Sequence, residues 1–90
     1  MAWKVEFEAS ARKDIEKLDK QVAKRIVAFL AKRAASIRDP RSVGQALKGS
    51  DLGNFWKYRV GDYRIICDIQ DKRVLILVLR VGHRREVYNR

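Results

Sequence analysis

The sequence has little of what builds covalent or metal-bound frameworks. Its 90 residues include one cysteine, Cys67, and one histidine, His83. An internal disulfide is therefore excluded, and one cysteine with one histidine cannot complete a closed zinc site. The length is that of one domain with a modest core, too short for a doubly wound nucleotide-binding fold with a second domain. We expect a single domain over residues 1–90 that uses no metal and no other cofactor.

Long hydrophobic runs are also missing. The two longest apolar segments, 26–31 and 74–79, have six residues each, whereas a membrane-spanning helix needs about 20. Glu6 and Glu8 stand where a secretory signal would be apolar. These features predict a cytoplasmic protein without a membrane partner.

Acidic residues are scarce relative to basic ones. The chain has 11 Asp and Glu against 21 Lys and Arg, a net charge of +10. Because 47% of the residues are hydrophobic, the charge belongs to a folded domain rather than to a disordered tail, and it predicts a polyanionic partner. The charges of residues 1–40 recur at helical spacing and indicate a solvated helix surface, whereas those of residues 56–90 fall within strand patterns.

The periodicity of the chain predicts an α+β domain. Residues 3–7 alternate apolar with charged side chains, as a half-buried strand does. Ser10 and Asp19 are predicted caps of two successive helices, and Asp39 before Pro40 ends the second. The segment 41–54 has the composition of a loop.

The last third of the chain has a period of two. Segments 55–60 and 63–69 flank Gly61-Asp62 and predict a hairpin with a two-residue turn. A third segment, 73–81, is apolar on both faces and is predicted to lie centrally. The predicted fold is an N-terminal strand, a two-helix hairpin and a three-strand antiparallel meander, which together form a four-stranded sheet.

The hairpin fixes which side chains share a face. With Gly61 and Asp62 in the turn, Arg59 lies directly opposite Arg64. The face predicted to support the helices carries Trp56, Tyr58, Val60, Tyr63, Ile65 and Cys67. The opposite face presents Lys57, Arg59 and Arg64 together. On this register Cys67 and Trp56, like Trp3, are interpreted as core residues rather than as a nucleophile or stacking platforms.

The opposed arginines break a rule of sheet pairing, because like charges directly across two strands cost about 0.2–1 kcal/mol. Such violations are typical of functional sites. Repulsion among three cations also favours the neutral, proton-accepting form of a lysine such as Lys57. The pattern is consistent with a catalytic, phosphate-binding patch. The alternative is an edge strand whose cations oppose aggregation and need no ligand.

The C-terminal segment interleaves arginine with an aromatic residue. After Gly82 we expect Arg84, Arg85 and Tyr88 to fold back beside the sheet, where guanidinium groups hold phosphate and the ring stacks on a splayed RNA base. A frayed basic terminus is the alternative. His83 is a secondary candidate for acid–base chemistry, since histidine titrates near neutral pH.

Two segments together resemble a known family. WKYRVGDYRII at 56–66, a Val/Leu/Ile strand, and VGHRREVY at 81–88 are similar to the RelE/ParE superfamily of bacterial toxins, and closer to its RelE branch. Leu47-Lys-Gly49 and the opening strand with two helices fit as well, so the resemblance spans nearly the whole chain. It implies the toxin of a type II toxin–antitoxin pair, a ribosome-dependent endoribonuclease that cleaves mRNA in the decoding site. It also implies silencing by a cognate acidic antitoxin in a hetero-oligomer.

The resemblance further implies roles for individual residues. The paired strand cations of the family fall on Lys57 and Arg59, its hairpin arginine on Arg64, the arginine after its last strand on Arg84 with Arg85 as a neighbouring possibility, and its stacking tyrosine on Tyr88. Arg59 stands where the prototype has a lysine, and an arginine is a poor general base. Lys57 or His83 is then left as the base.

The hypothesis is cleavage through the RNA's own 2′-hydroxyl, without a metal, to leave a 2′,3′-cyclic phosphate. A ParE-like protein that inhibits DNA gyrase by binding, without catalysis, is the main alternative. A module that binds RNA and does not cut it is a third. The clustering of the cations favours the nuclease.

Overall fold

Five strands form one sheet whose helix-facing side carries the core. The structure is a computed structural model and describes residues 2–47 and 55–83. The strands are β1 (Lys4–Phe7), β2 (Gln45–Ala46), β3 (Phe55–Val60), β4 (Tyr63–Gln70) and β5 (Leu75–His83). They lie in the order β1-β5-β4-β3-β2. The α+β class predicted from the sequence is confirmed.

The predicted meander is present, since β3, β4 and β5 are successive antiparallel neighbours. β1 joins β5 in parallel, with Lys4 opposite Leu75 and Phe7 opposite Val78. β5 therefore lies between two strands, as its apolar faces indicate.

The predicted count of four strands is wrong, because β2 adds a fifth strand at the edge beside β3. Gln45 lies opposite Lys57 and Ala46 opposite Trp56. Both β2 residues are exposed, so no hydrophobic alternation marks them within the segment predicted as a loop. Only the neighbouring strand makes them a strand.

Two helices, α1 (Ala9–Glu16) and α2 (Lys20–Ala28), connect β1 to the rest of the sheet. Asp19 caps α2 as predicted, because its carboxylate accepts the backbone N–H of Gln21 at 3.1 Å. Ser10 does not cap α1. The helix begins before it, and its hydroxyl donates to the backbone carbonyl of Leu79 at 2.8 Å.

The chain after α2 winds more loosely. It continues as a π-helical segment, Phe29–Ala34, where the N–H of Ala35 donates to the carbonyl of Leu30 at 2.8 Å, five residues back. Asp39 then caps a 3-10 turn, Pro40–Val43, by accepting the N–H of Arg41 at 3.1 Å. Within the described part of the chain, no helix is long and apolar enough to cross a membrane.

The core lies between the helices and one face of the sheet. Tyr58, Ile65 and Cys67 are each at most 1% exposed and pack with side chains of α1 and α2, which confirms the predicted face. Trp3 packs against this core as well. Trp56, also predicted to be a core residue, is half-buried and is not among the side chains that pack against this core. The guanidinium carbon of Arg41 lies 5.9 Å from its ring centroid.

Tyr58 ties the segment before β2 to the sheet. Its hydroxyl donates to the carbonyl of Pro40 at 2.9 Å, and burial raises the pKa of this phenol. A Cβ on Gly44 would lie 2.8 Å from Tyr58 Cε1, so this close approach requires glycine. Arg41 adds a bidentate ion pair with Asp71, at 3.0 and 2.7 Å.

Two described residues have a left-handed backbone conformation. Gly61 (φ +59°) opens the β3–β4 turn, as predicted. Val74 (φ +50°) immediately precedes β5, where a β-branched side chain is strained. Its carbonyl accepts the N–H of Lys4 at 2.9 Å.

Candidate active site

Three cations of the β3–β4 hairpin lie on the face of the sheet away from the helices. The register confirms that Arg59 is directly opposite Arg64, and it sets Lys57 opposite Ile66. Directly opposed residues share a face, with Cβ atoms about 4.5–5.5 Å apart. Lys57 is two residues from Arg59 on β3, about 7 Å along the strand. We refer to Lys57, Arg59 and Arg64 as the cationic face.

Arg64 is the buried member of the cationic face. It is 8% exposed, and no other charged residue in the described ranges is as buried. Its Nη1 donates to the backbone carbonyl of Tyr63 at 3.3 Å. No carboxylate among the described residues forms an ion pair with it. Because a buried charge without a counterion is unfavourable, the arrangement fits an anion supplied from outside.

Asp68, a carboxylate on this face, forms no ion pair with Arg64. Asp68 lies on β4 on the same side as Arg64, two alternations along the strand. Its Oδ2 accepts from Nε2 of Gln70 at 2.9 Å. Arg59 is exposed, and the ion pairs found in the described part of the chain do not include it.

A fourth cation, Arg80, is neutralised by α1. It lies opposite Ile66 on β5, and its Nε donates to Asp14 Oδ2 at 2.8 Å and its Nη2 to Oδ1 at 3.3 Å. The same Oδ2 accepts the backbone N–H of Val81 at 2.8 Å. Sequence reasoning missed this pair, which joins residues 66 positions apart in the chain.

The electrostatics of this pair follow from its geometry. Burial acts to raise the pKa of Asp14, but the hydrogen bonds from Arg80 and Val81, together with the positive charges of Arg80 and Lys17, outweigh burial, and the pKa is lowered. The hydrogen bond to Asp14 raises the pKa of Arg80. Arg80 therefore stabilises the fold here rather than adding to the cationic face.

His83 lies on the other face of the sheet. It is opposite Tyr63 at the end of β5, and the two rings meet edge to face with centroids 5.9 Å apart. Tyr63 packs against the helix-covered core. The structure therefore separates His83, the secondary sequence candidate, from Lys57.

A β-bulge decides this placement. Ile66 pairs with Arg80 but the next residue, Cys67, pairs with Val78, so Leu79 is an extra residue on β5. The extra residue reverses the alternation of faces along the rest of the strand. As a result Gly82, which has no side chain, is the residue beside Arg64.

The remaining sequence candidates fall outside the described residues. Arg84, Arg85 and Tyr88 belong to the segment 84–90, so their positions relative to the cationic face stay predictions. Cys67 is fully buried, and burial raises the pKa of its thiol, in keeping with a core role. Within residues 2–47 and 55–83, no three His, Cys, Asp or Glu side chains form a metal-binding group.

Comparisons with known proteins agree on one family. The chain matches the family described as the ParE toxin of type II toxin–antitoxin systems over residues 5–88. It is 33% identical to toxin RelG of Mycobacterium tuberculosis over 90 residues, covering 100% of both chains.

Solved structures agree with the sequence comparisons. The toxin–antitoxin complex RelBE2 from Mycobacterium tuberculosis matches with a TM-score of 0.82 and 30% identity over 92% of each chain. A variant of the E. coli toxin RelE in complex with an antitoxin RelBc peptide matches with a TM-score of 0.73 and 26% identity, over 99% of this chain and 93% of that one. With this coverage in sequence and in fold, the chain belongs to the RelE/ParE superfamily of type II toxins, as a RelE-like member.

Proposed function

We propose that the chain is a ribosome-dependent endoribonuclease that cleaves mRNA and thereby inhibits translation. The observation that carries the proposal is Arg64, a buried cation with no carboxylate partner among the described residues, on one face with Arg59 and Lys57. A phosphodiester would supply the missing anion, and its developing charge is what fixed guanidinium groups stabilise. Membership in a family of type II toxins supports a role in growth inhibition.

The proposed reaction uses a nucleophile that belongs to the RNA, so it needs no cofactor. Lys57 takes the proton of a 2′-hydroxyl, the 2′-oxygen attacks the adjacent phosphorus, and the bond to the 5′-oxygen breaks. Arg59 and Arg64 hold the non-bridging oxygens. The leaving 5′-oxygen, stabilised by Arg84, takes up a proton from water, which gives a 2′,3′-cyclic phosphate and a 5′-hydroxyl.

The placement of the two candidate bases favours Lys57 over His83. Lys57 shares a face with both phosphate-holding arginines, whereas His83 pairs with Tyr63 on the helix side. A general base must reach the proton that it removes. We extend the proposal to Arg85 as a further phosphate contact and to Tyr88 as the ring that stacks on a base.

The proposed inhibitor is a cognate acidic antitoxin, bound in a toxin–antitoxin hetero-oligomer. Both solved structures described above contain a toxin together with an antitoxin or a peptide of it. A net charge of +10 attracts an acidic segment, and a segment that covers Arg64 would block the cationic face. We place the action in the cytoplasm, where ribosomes translate mRNA.

The test is cleavage of a defined mRNA on translating ribosomes by the purified protein, with mapping of the new ends. We expect cuts at a fixed position within codons and 2′,3′-cyclic phosphate ends. Arg64→Ala should lower the rate about 100-fold or more, as loss of one charge-stabilising donor does. Lys24→Ala is the matched control, because it removes one exposed cation from α2. If the wild-type protein leaves ribosome-bound mRNA intact, the proposal is wrong.

The second candidate is a ParE-like inhibitor that binds DNA gyrase without catalysis. The observation in its favour is that the family that the chain matches is described as the ParE toxin of type II toxin–antitoxin systems. A supercoiling assay with purified gyrase distinguishes the two functions. Inhibition of supercoiling with intact mRNA would support this candidate, and RNA binding without either effect would indicate a plain RNA-binding module.

A further inference from the structure

β1 lies beside only the first part of β5. β1 pairs with β5 only as far as Val78, whose carbonyl then accepts the N–H of Glu8 at 2.9 Å as the chain turns into α1. Beyond Val78, β5 has β4 on one side and α1 on the other. Edge groups such as the Leu79 carbonyl and the Val81 N–H then need other hydrogen-bond partners.

Two side chains of α1 take the place of a strand. The hydroxyl of Ser10 donates to the Leu79 carbonyl at 2.8 Å, and Asp14 Oδ2 accepts the Val81 N–H at 2.8 Å. Ser10 and Asp14 are four residues apart, so they lie on one side of the helix. Asp14 also holds the Arg80 guanidinium through both carboxylate oxygens. We call Ser10, Asp14 and Arg80 the α1 clip.

The α1 clip lies next to the cationic face. Val81, whose N–H it holds, is followed by Gly82, the residue opposite Arg64. The two backbone contacts of the clip lie on the bulged residue Leu79 and two residues after it. A bulge disrupts the ladder locally and re-aims the strand beyond it. The α1 clip therefore holds β5 at the bulge. The bulge sets the register in which Gly82 lies beside Arg64.

We propose that Asp14 is a positioning residue for the cleavage reaction. Through Arg80 and the Val81 N–H, its carboxylate holds the end of β5 in the bulged register, which sets Gly82 rather than a bulkier residue beside Arg64 of the cationic face. The inference rests on the proposed nuclease function. It differs from a purely stabilising ion pair, which would lower the unfolding temperature and leave the turnover of folded protein unchanged.

The first test compares Asp14→Asn with Glu16→Gln, a matched carboxylate-to-amide change at an exposed position of α1. Both are assayed for mRNA cleavage well below their unfolding temperatures. Asp14→Asn should lower kcat about 10- to 100-fold with KM changed less than about twofold, since small misplacements of reacting groups cost that much. Asp14→Glu should recover part of kcat, and Glu16→Gln should match the wild type. Equal kcat values for folded Asp14→Asn and wild type would overturn the inference.

A second measurement tests the backbone contacts of the α1 clip independently of catalysis. Amide hydrogen exchange at Val81 and Gly82 should become at least about tenfold faster in Asp14→Asn and stay unchanged in Glu16→Gln. If Asp14→Asn does not fold, the same exchange is measured in Ser10→Ala, which removes the other edge contact. Unchanged exchange in the clip variants would overturn the inference even for an inactive protein. By contrast, wild-type protein that cleaves no mRNA would refute the proposed function itself.

Discussion

Replacing Arg64 with methionine is expected to stabilise the fold while it lowers the rate of mRNA cleavage about 100-fold or more. Methionine keeps an unbranched apolar stem of similar volume and removes the guanidinium. The gain in stability and the loss of cleavage have the same cause. Arg64 is 8% exposed, faces Arg59 across the hairpin and has no carboxylate partner among the described residues. A charge held in this way is useful to a phosphate ligand and unfavourable without one.

The magnitude follows from three contributions. Relief of the repulsion between Arg59 and Arg64 contributes about 0.2–1 kcal/mol. Replacing a buried ionic group with an apolar one of similar volume is often neutral or stabilising, by about 1–4 kcal/mol. Loss of the 3.3 Å hydrogen bond to the Tyr63 carbonyl subtracts about 1 kcal/mol. The three contributions sum to a net gain of up to about 4 kcal/mol, and each 1 kcal/mol of gain raises the Tm of a domain of this size by about 4–8 °C.

The assay is thermal unfolding in phosphate-free buffer, because an anion bound to the native state would stabilise the wild type. Arg59→Met is the control, since this exposed residue relieves only the repulsion and should gain less. Added inorganic phosphate should raise the Tm of the wild type and leave that of Arg64→Met unchanged. A loss of about 1 kcal/mol or more in Arg64→Met would refute the reasoning, because it would show that the contacts of Arg64 in the fold are net favourable.

Three further predictions concern the fold around the site. Val74→Asn should raise the free energy of unfolding by about 1 kcal/mol, since asparagine tolerates the left-handed backbone that strains valine; Val74→Ile should bring no such gain in the same denaturation series. Gly44→Ala should lower the free energy of unfolding by about 1–3 kcal/mol, because the new Cβ would lie 2.8 Å from Tyr58 Cε1. An unchanged urea midpoint would contradict this, because it would show that the backbone at Gly44 and β2 can shift at no cost in stability. Asp14 has a lowered pKa when folded, so its contribution is fully present above its ordinary pKa of 3.8 and is lost as the pH falls through the folded value. Unfolding measured between pH 3 and pH 7 should therefore show a smaller loss on acidification in Asp14→Asn, and parallel curves would contradict this assignment.

The β3–β4 hairpin shows how much of the candidate site short-range sequence patterns determine. Gly61 supplies the positive φ that a two-residue turn needs, and the period of two on either side then leaves one register that buries Tyr58 and Ile65 together. The opposition of Arg59 and Arg64 follows from that register with no knowledge of the rest of the chain. This part of the candidate site was therefore predictable from about ten consecutive residues.

Ser10 marks the limit of local reasoning. The hydroxyl of a serine near a helix start can either cap that helix or donate to a distant carbonyl. Only the position of β5 determines that Ser10 donates to the Leu79 carbonyl. The same holds for β2, whose two exposed residues form a strand only because β3 runs beside them. Neither outcome leaves a periodic signal in the sequence.

By itself, the sequence determined the α+β class, the hairpin register and the face shared by Lys57, Arg59 and Arg64, because turns and side-chain alternation are short-range properties. The tertiary structure alone decided that Arg80 is neutralised by Asp14 and that His83 lies on the helix side. Both depend on one extra residue in β5 and on a helix 66 residues away in the chain. Contacts across such separations are fixed by how whole elements pack, which no local pattern records.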